Sequence, residues 1–265
     1  MSKSIILVIS TFLLLSLKSD NTFQLKSNFN YQDISYFEAD YLNNIYLLSN
    51  NIVQKRDING NVMRTFNNKN LGNIFSIDAS NPLKNLIFYK EFRTILFLDN
   101  TLTLNGGPYL LDDSGIHQPL LACSSFNNSI WVYDQQNFEL VRLSVDLKIT
   151  HRTGNIVQLT QVRNINPNFM VEYNNLLYLN DPAQGIFVFD IFGTYKKLIP
   201  IKISNHFQIT EDYVLFCKND SLWSYNFTSF DKTFLTTDTA LIKVKKTKDY
   251  LITFSKNQAK TYYIK

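Results

Sequence analysis

The chain has 265 residues, 45% hydrophobic and 14% aromatic, with 21 Phe and 15 Tyr against only eight Gly and six Pro. That composition excludes a disordered chain, which buries too little apolar surface to offset its ordering entropy. The formal charge of +4 includes one dense basic cluster, Lys243, Lys245, Lys246 and Lys248, read as a solvated strand end and loop, so a nucleic-acid partner is not expected.

The first element is an apolar stretch over residues 5–17, preceded by Lys3 and interrupted by Ser10, Thr11 and Ser16. It is shorter than the roughly 20 residues that span a bilayer comfortably. A positive start ahead of such a stretch is the pattern of a secretory signal. Residues 1–20 are therefore expected to be a signal peptide, with an uncleaved anchor as the alternative. Residues 21–265 are expected to form one exported domain with no transmembrane helix, in the periplasm or at the cell surface of a bacterium. No cysteine follows the apolar stretch, so lipid attachment at a processed N-terminal cysteine has no candidate.

Next comes TFQLKS, residues 22–27, which reads as a lone strand, and then a recurring unit. Apolar runs begin at Ile45, Leu86, Ile130, Leu176, Val214 and Leu251, spaced 37 to 46 residues apart, and most are entered through a polar pair such as Asn43-Asn44 or Asn174-Asn175. Aromatic and β-branched segments flank each run, and no window carries the 3.6 period of an amphipathic helix. Four strands recurring about every forty residues describe a propeller blade. The expectation is an all-β, six-bladed propeller of four-stranded antiparallel blades, at about 35–66, 74–105, 119–153, 168–201, 206–237 and 240–265. The last copy has three strands, so the N-terminal strand at 22–27 is expected to complete it and close the ring, sparing an open edge. Two stacked β-sandwiches are the alternative. Cys123, in the innermost strand of blade three, and Cys217, in the second strand of blade five, are expected to stay unpaired, since a whole blade separates them.

The stretches ADYLNNIYLLSNNIVQKRDINGN, SFNNSIWVYDQQNFELVRLSVD and EYNNLLYLNDPAQGIFVFDIFG resemble NHL or YWTD-type repeats, with a small polar residue, Asn, an apolar-Tyr pair, a polar corner and a closing turn. Blades two, five and six lack the regular acidic and glycine positions, so the resemblance implies architecture only. Trp-Asp and Gly-His signatures in register, which would point to WD40, are absent from the sequence.

Chemistry must come from a site, because propellers host unrelated activities. Blade-to-blade connections and second-to-third-strand corners should share one face, carrying residues 90–94, 106–118, 134–138, 154–168, 181–185 and 205–206. A GxSxG elbow is missing, and Ser114 in DDSGI lacks the strand-to-helix context that exposes a nucleophile. His117, His151 and His206 share no HxH or HExxH spacing. His151 falls in an outer strand; His117 and His206 fall at the channel mouth, where they are candidates for a shared site. DINGN, residues 57–61, imitates the start of a calcium loop but lacks the later carboxylate.

Six-bladed lactonase-like enzymes hold calcium in the channel with carboxylate and amide side chains. On that resemblance Glu38, Asn73, Asn168, Glu172 and Asn205 would be the ligands, although abundant Asn explains the alignment equally well. No catalytic residue and no cofactor is expected on the leading reading, a non-catalytic protein-binding or assembly module of the cell envelope. The alternatives are a calcium-dependent lactonase-like hydrolase and a glycan-binding propeller. Partner binding is expected at Phe92, Tyr109, His117 and Phe138, on the face with the two longest connections.

Overall fold

The computed structural model describes residues 23–238 and 240–264, so the apolar N-terminal stretch lies outside the described residues. The chain enters as β1 (Gln24–Asn30). Blade one is β2 (Ile34–Ala39), β3 (Ile45–Ser49), β4 (Ile52–Arg56) and β5 (Val62–Asn67). Blade two is β6 (Ser76–Asp78), β7 (Asn85–Tyr89), β8 (Thr94–Leu98) and β9 (Tyr109–Leu110). Blade three is β10 (Pro119–Ser124), β11 (Ile130–Asp134), β12 (Glu139–Leu143) and β13 (Ile149–Arg152), followed by the short helix α1 (Ile156–Thr160). Blade four is β14 (Phe169–Tyr173), β15 (Leu176–Asp181), β16 (Gly185–Asp190) and β17 (Tyr195–Ile199); blade five is β18 (Phe207–Ile209), β19 (Tyr213–Lys218), β20 (Ser221–Asn226) and β21 (Lys232–Thr237). Blade six is β22 (Leu241–Lys246), β23 (Tyr250–Ser255) and β24 (Gln258–Tyr263), with β1 on its outside.

Each blade is an antiparallel sheet, with its strands in chain order from the channel outward in blades one to five and with β1 added outside β24 in blade six, and the molecule is the six-bladed all-β propeller that the repeat implies. β1 pairs with β24 from Gln24 opposite Tyr263 to Asn30 opposite Gln258, with a bulge between Leu25 and Ser27.

Six apolar cores hold the ring, one at each blade-to-blade interface. Tyr46, Leu48, Ile87 and Tyr89 join blades one and two; Phe88, Phe97, Ile130 and Val132 join two and three. Trp131, Tyr133, Leu179 and Phe187 join three and four, and Tyr178, Val188, Phe207 and Phe216 join four and five. Leu215 and Leu222 meet Val244 and Leu251 between five and six, and Ile45 and Leu47 meet Ile252 and Phe254 between six and one. Middle strands therefore bury both faces: β7, β8, β11 and β12 are buried at every position. That is why β7, β8 and β11 carry near-continuous apolar runs rather than alternating ones, while β12 buries Glu139 and Arg142 beside its aliphatic residues.

Two expectations need correction. The outer strand of blade two is Tyr109–Leu110 and not the TLTL segment, which makes only an isolated bridge from Leu104 to Leu98. Asp99 captures that segment as a turn: its Oδ1 accepts from the amides of Thr101 and Thr103, and Leu102 takes a left-handed φ of 62°. The basic cluster is not a uniformly solvated strand end either. Lys243 is 2% exposed on the innermost strand β22, and Lys245 is partly buried beside it.

Candidate functional site

The inner strands β2, β6, β10, β14 and β22, with the residue leading into β18, surround a narrow central cavity of about 180 Å³. Tyr36, Glu38, Asp78, Cys123, His206 and Lys245 supply its ionisable groups. Glu38 projects from the end of β2, and both of its oxygens are occupied. Oε2 accepts from Lys243 Nζ at 2.9 Å, and Oε1 accepts from Lys245 Nζ at 2.6 Å and from the Ala39 amide at 3.0 Å. Lys243 Nζ also donates to the Phe37 carbonyl at 2.7 Å and stands 4.8 Å from the centre of the Tyr36 ring. Burial pushes the Glu38 carboxyl up, but the two lysines outweigh it and hold it down at about 2. Burial drives Lys243 the other way, down to about 8 despite the adjacent carboxylate.

Across the cavity, Asp78 accepts from the Ser124 amide at 2.7 Å and the Ser80 amide at 2.9 Å. His206 is wedged edge-on between Tyr36 and Phe169, with ring centres 5.3 and 4.7 Å away. Burial lowers its pKa to about 3, assisted by Lys243, so the imidazole is neutral and packs as an aromatic. Burial also raises the Cys123 thiol well above its ordinary value, which removes the thiolate that a nucleophile needs.

Of the five residues considered for calcium, only Glu38 and Asn168 share the central cavity. Glu38 carries two ammonium groups where a cation would sit. Glu172 holds the β10–β11 corner, accepting from Ser125 Oγ, the Phe126 amide and Trp131 Nε1. Asn168 donates to the Ser204 carbonyl and accepts from Asn180. Asn73 lies in a separate cavity on the rim and Asn205 is exposed. Among the described residues no three His, Cys, Asp or Glu side chains cluster in a way that could hold a metal ion. The calcium site that the lactonase resemblance implies does not fit these side chains.

The rim face carries the blade connections and the second-to-third-strand corners. A cavity of about 500 Å³ opens there between blades two and three, lined in part by Asn73, Lys90, Arg93, His117 and Gln135. Asp112 bridges two of its neighbours: Oδ2 accepts from Arg93 Nε at 2.8 Å, and Oδ1 lies 2.9 Å from His117 Nδ1. His117 and His206 line different cavities and share no site. Phe92 caps the turn from Lys90 to Arg93 and lies over Gly72, where an added Cβ would meet its ring at 2.7 Å. Phe138, with φ 53°, is fixed by its carbonyl accepting from the Ile156 amide at the start of α1. Tyr109 stands apart from these. It sits in the outer strand β9 with its ring 5.5 Å from Phe97, packed on the core between blades two and three.

Lys243 and Lys245 were the channel residues that composition concealed. Their signal was the period-two spacing in LIKVKK, which puts both on the same face of a strand.

No family model matches this chain, and no curated protein sequence matches it. Its likeness to solved structures is extensive. A streptogramin B lyase superposes with a TM-score of 0.61 at 12% identity, covering 91% of this chain and 98% of that one. BamB from Moraxella catarrhalis gives 0.53 at 10% identity, covering 91% and 100%. A chain of the mitotic checkpoint complex gives 0.53 at 10%, covering 100% and 99%. At such identities the likeness shows the propeller fold alone, and it spans enzymes and assembly components alike.

Proposed function

We propose that this chain is an exported, non-catalytic propeller that binds a protein partner at the bacterial cell envelope. The observation that carries the reading is the state of the channel. Its carboxylate is neutralised by two lysines, its histidine is wedged between aromatic rings, and its thiol is held protonated by burial. A catalytic group needs free hydrogen-bonding capacity toward substrate and a pKa near the working pH, and none of these groups combines the two. Export rests on Lys3 and the apolar stretch at residues 5–17. The neighbour drawn from the mitotic checkpoint complex supports an assembly role by analogy, and the lyase neighbour keeps the enzyme as its rival.

The test is affinity capture by the full chain from the native envelope, with metal analysis of the same preparation. A protein retained at a fixed ratio to the bait is the expected result. Calcium at one per chain, lost together with a hydrolytic activity on chelation, would replace this reading with the enzyme.

A further inference from the structure

The face opposite the rim carries the first-to-second and third-to-fourth strand corners of every blade, because the strands alternate in direction. Around the channel mouth on that face, three consecutive blades raise apolar tips. Blade one shows Tyr41 and Leu42, 58% and 53% exposed, blade two Leu83 at 60% and blade three Phe126 at 55%. The next corner, Asn174-Asn175, is polar, and those of blades five and six carry Glu211, Asp212 and Asp249 beside two exposed lysines, Lys248 and, at the end of β22, Lys246. The mouth is thus apolar on one side and charged on the other, where carboxylates outnumber exposed lysines three to two.

The apolar tips are held outward by buried polar clamps. Asp40 Oδ1 accepts from the amides of Leu42 and Asn44, while Oδ2 accepts from Asn44 Nδ2 and the Tyr46 hydroxyl, both at 2.9 Å or less. Fully buried Asn85 donates to the Pro82 and Asp99 carbonyls at 3.2 Å, and Asn81 accepts from the Leu83 amide. Glu172 grips the corner that carries Phe126 from below, and Arg142 donates to the Phe126 carbonyl at 2.9 Å. Neighbouring corners are also tied together. Lys84 Nζ donates to the Asn128 carbonyl at 3.4 Å while lying over the Phe97 ring, which turns its charge inward, and Asn43 Nδ2 donates to Asp249. Rigid, solvated apolar groups lose little entropy on binding, which is what an interface anchor requires.

We infer that this mouth is the docking surface of the binding module and that its partner is a basic amphipathic polypeptide segment, apolar side on blades one to three and cationic side on blades five and six. The inference rests on the binding-module reading and gives it a face and a ligand chemistry. The three carboxylates favour a cationic segment over an acidic lipid surface. It differs from the rim expected from sequence, where Phe92 lies over Gly72 and Tyr109 belongs to the core.

The probe is a fluorescent Lys/Leu amphipathic peptide, compared with its Glu/Leu counterpart by anisotropy against the full chain. The Lys/Leu peptide should bind at least about tenfold more tightly, a difference of about 1.4 kcal/mol. Leu42→Ser with Leu83→Ser and Phe126→Ser should weaken it by about tenfold or more, with melting unchanged because all three side chains are exposed. The separate variant Glu211→Lys with Asp212→Lys should weaken it and flatten its salt dependence. Equal binding of both peptides overturns the inference, as does indifference to both variants. So does binding to phosphatidylglycerol vesicles without peptide, or a dimer in solution that the apolar variant abolishes. If the variants still capture the envelope partner, this face is wrong and the binding module stands. If no partner is captured and a chelator-sensitive activity appears, the module itself is wrong.

Discussion

An asparagine pair at a strand corner does here what glycine does in other β proteins. Asn50-Asn51, Asn174-Asn175 and Asn219-Asp220 each fill a two-residue hairpin loop with both φ angles positive, between 48° and 64°. Loops of that length favour turns needing positive φ at both positions, and Asn tolerates the left-handed region better than other side chains. The chain therefore manages with eight glycines, and the same habit makes asparagine a poor guide to ligands in its sequence. Glu38 was legible as an inner-strand residue, but its partners lie more than 200 positions away, beyond any local spacing. Its role is testable. Glu38→Gln leaves the Lys243 ammonium buried without a counter-charge, which typically costs about 3–5 kcal/mol, and adding Lys243→Met should recover part of that loss. The pH dependence has a defined sign. Because the folded pKa of about 2 lies below the ordinary 4.5, Glu38 contributes stability above pH 4.5 that is lost as pH falls toward 2. Denaturant titrations should show this acid component in the wild type and not in Glu38→Gln; a variant as stable as wild type at pH 7 would remove the pair from the account.

The strand is the level at which the sequence spoke most clearly, since apolar runs recurring every 37 to 46 residues located every blade to within a few residues. It misled where turn chemistry imitates alternation, as in TLTL, whose threonines answer to Asp99 rather than to a neighbouring strand. The outer strand of blade six is the most distinctive element, because it comes from the other end of the chain. β1 is mostly exposed and contributes little core, so its value lies in capping the hydrogen-bonding edge of β24. Just after it, Tyr31 is buried and donates from its hydroxyl to the Ser255 carbonyl at 2.6 Å, which fastens the lead-in of blade one to blade six independently. A chain beginning at Asn30 keeps Tyr31 and loses the edge. We expect it to lose about 2 kcal/mol, or about 4–8 °C in Tm at this length, and to aggregate. Melting equal to that of the longer chain would mean that β1 is dispensable to the ring.

At the scale of the whole molecule the ring joins six units whose apolar cores each lie between two neighbours, with only channel-lining side chains such as Tyr36 and His206 meeting across the ring. An open stack of such repeats unfolds from its ends, whereas a closed ring has no end until one interface breaks. The two cysteines report on that difference. Both are free and buried, Cys123 on the innermost strand of blade three and Cys217 on the second strand of blade five. Burial raises the Cys217 thiol to about 12 and lifts Cys123 as well, so neither reacts until its blade opens. In the full chain both thiols should become alkylated over the same narrow range of denaturant, with two labels per chain at completion. In the chain beginning at Asn30, blade six has a bare edge and blade five is its immediate neighbour, while blade three lies across the ring. Cys217 should then label at lower denaturant than Cys123, a separation that peptide mapping of the alkylated sites resolves. Coincident labelling in the shortened chain would show that the six interfaces remain one cooperative unit without β1. Separated labelling in the full chain would show that the ring already opens at blade six, and that pairing of β1 with β24 does not hold it closed.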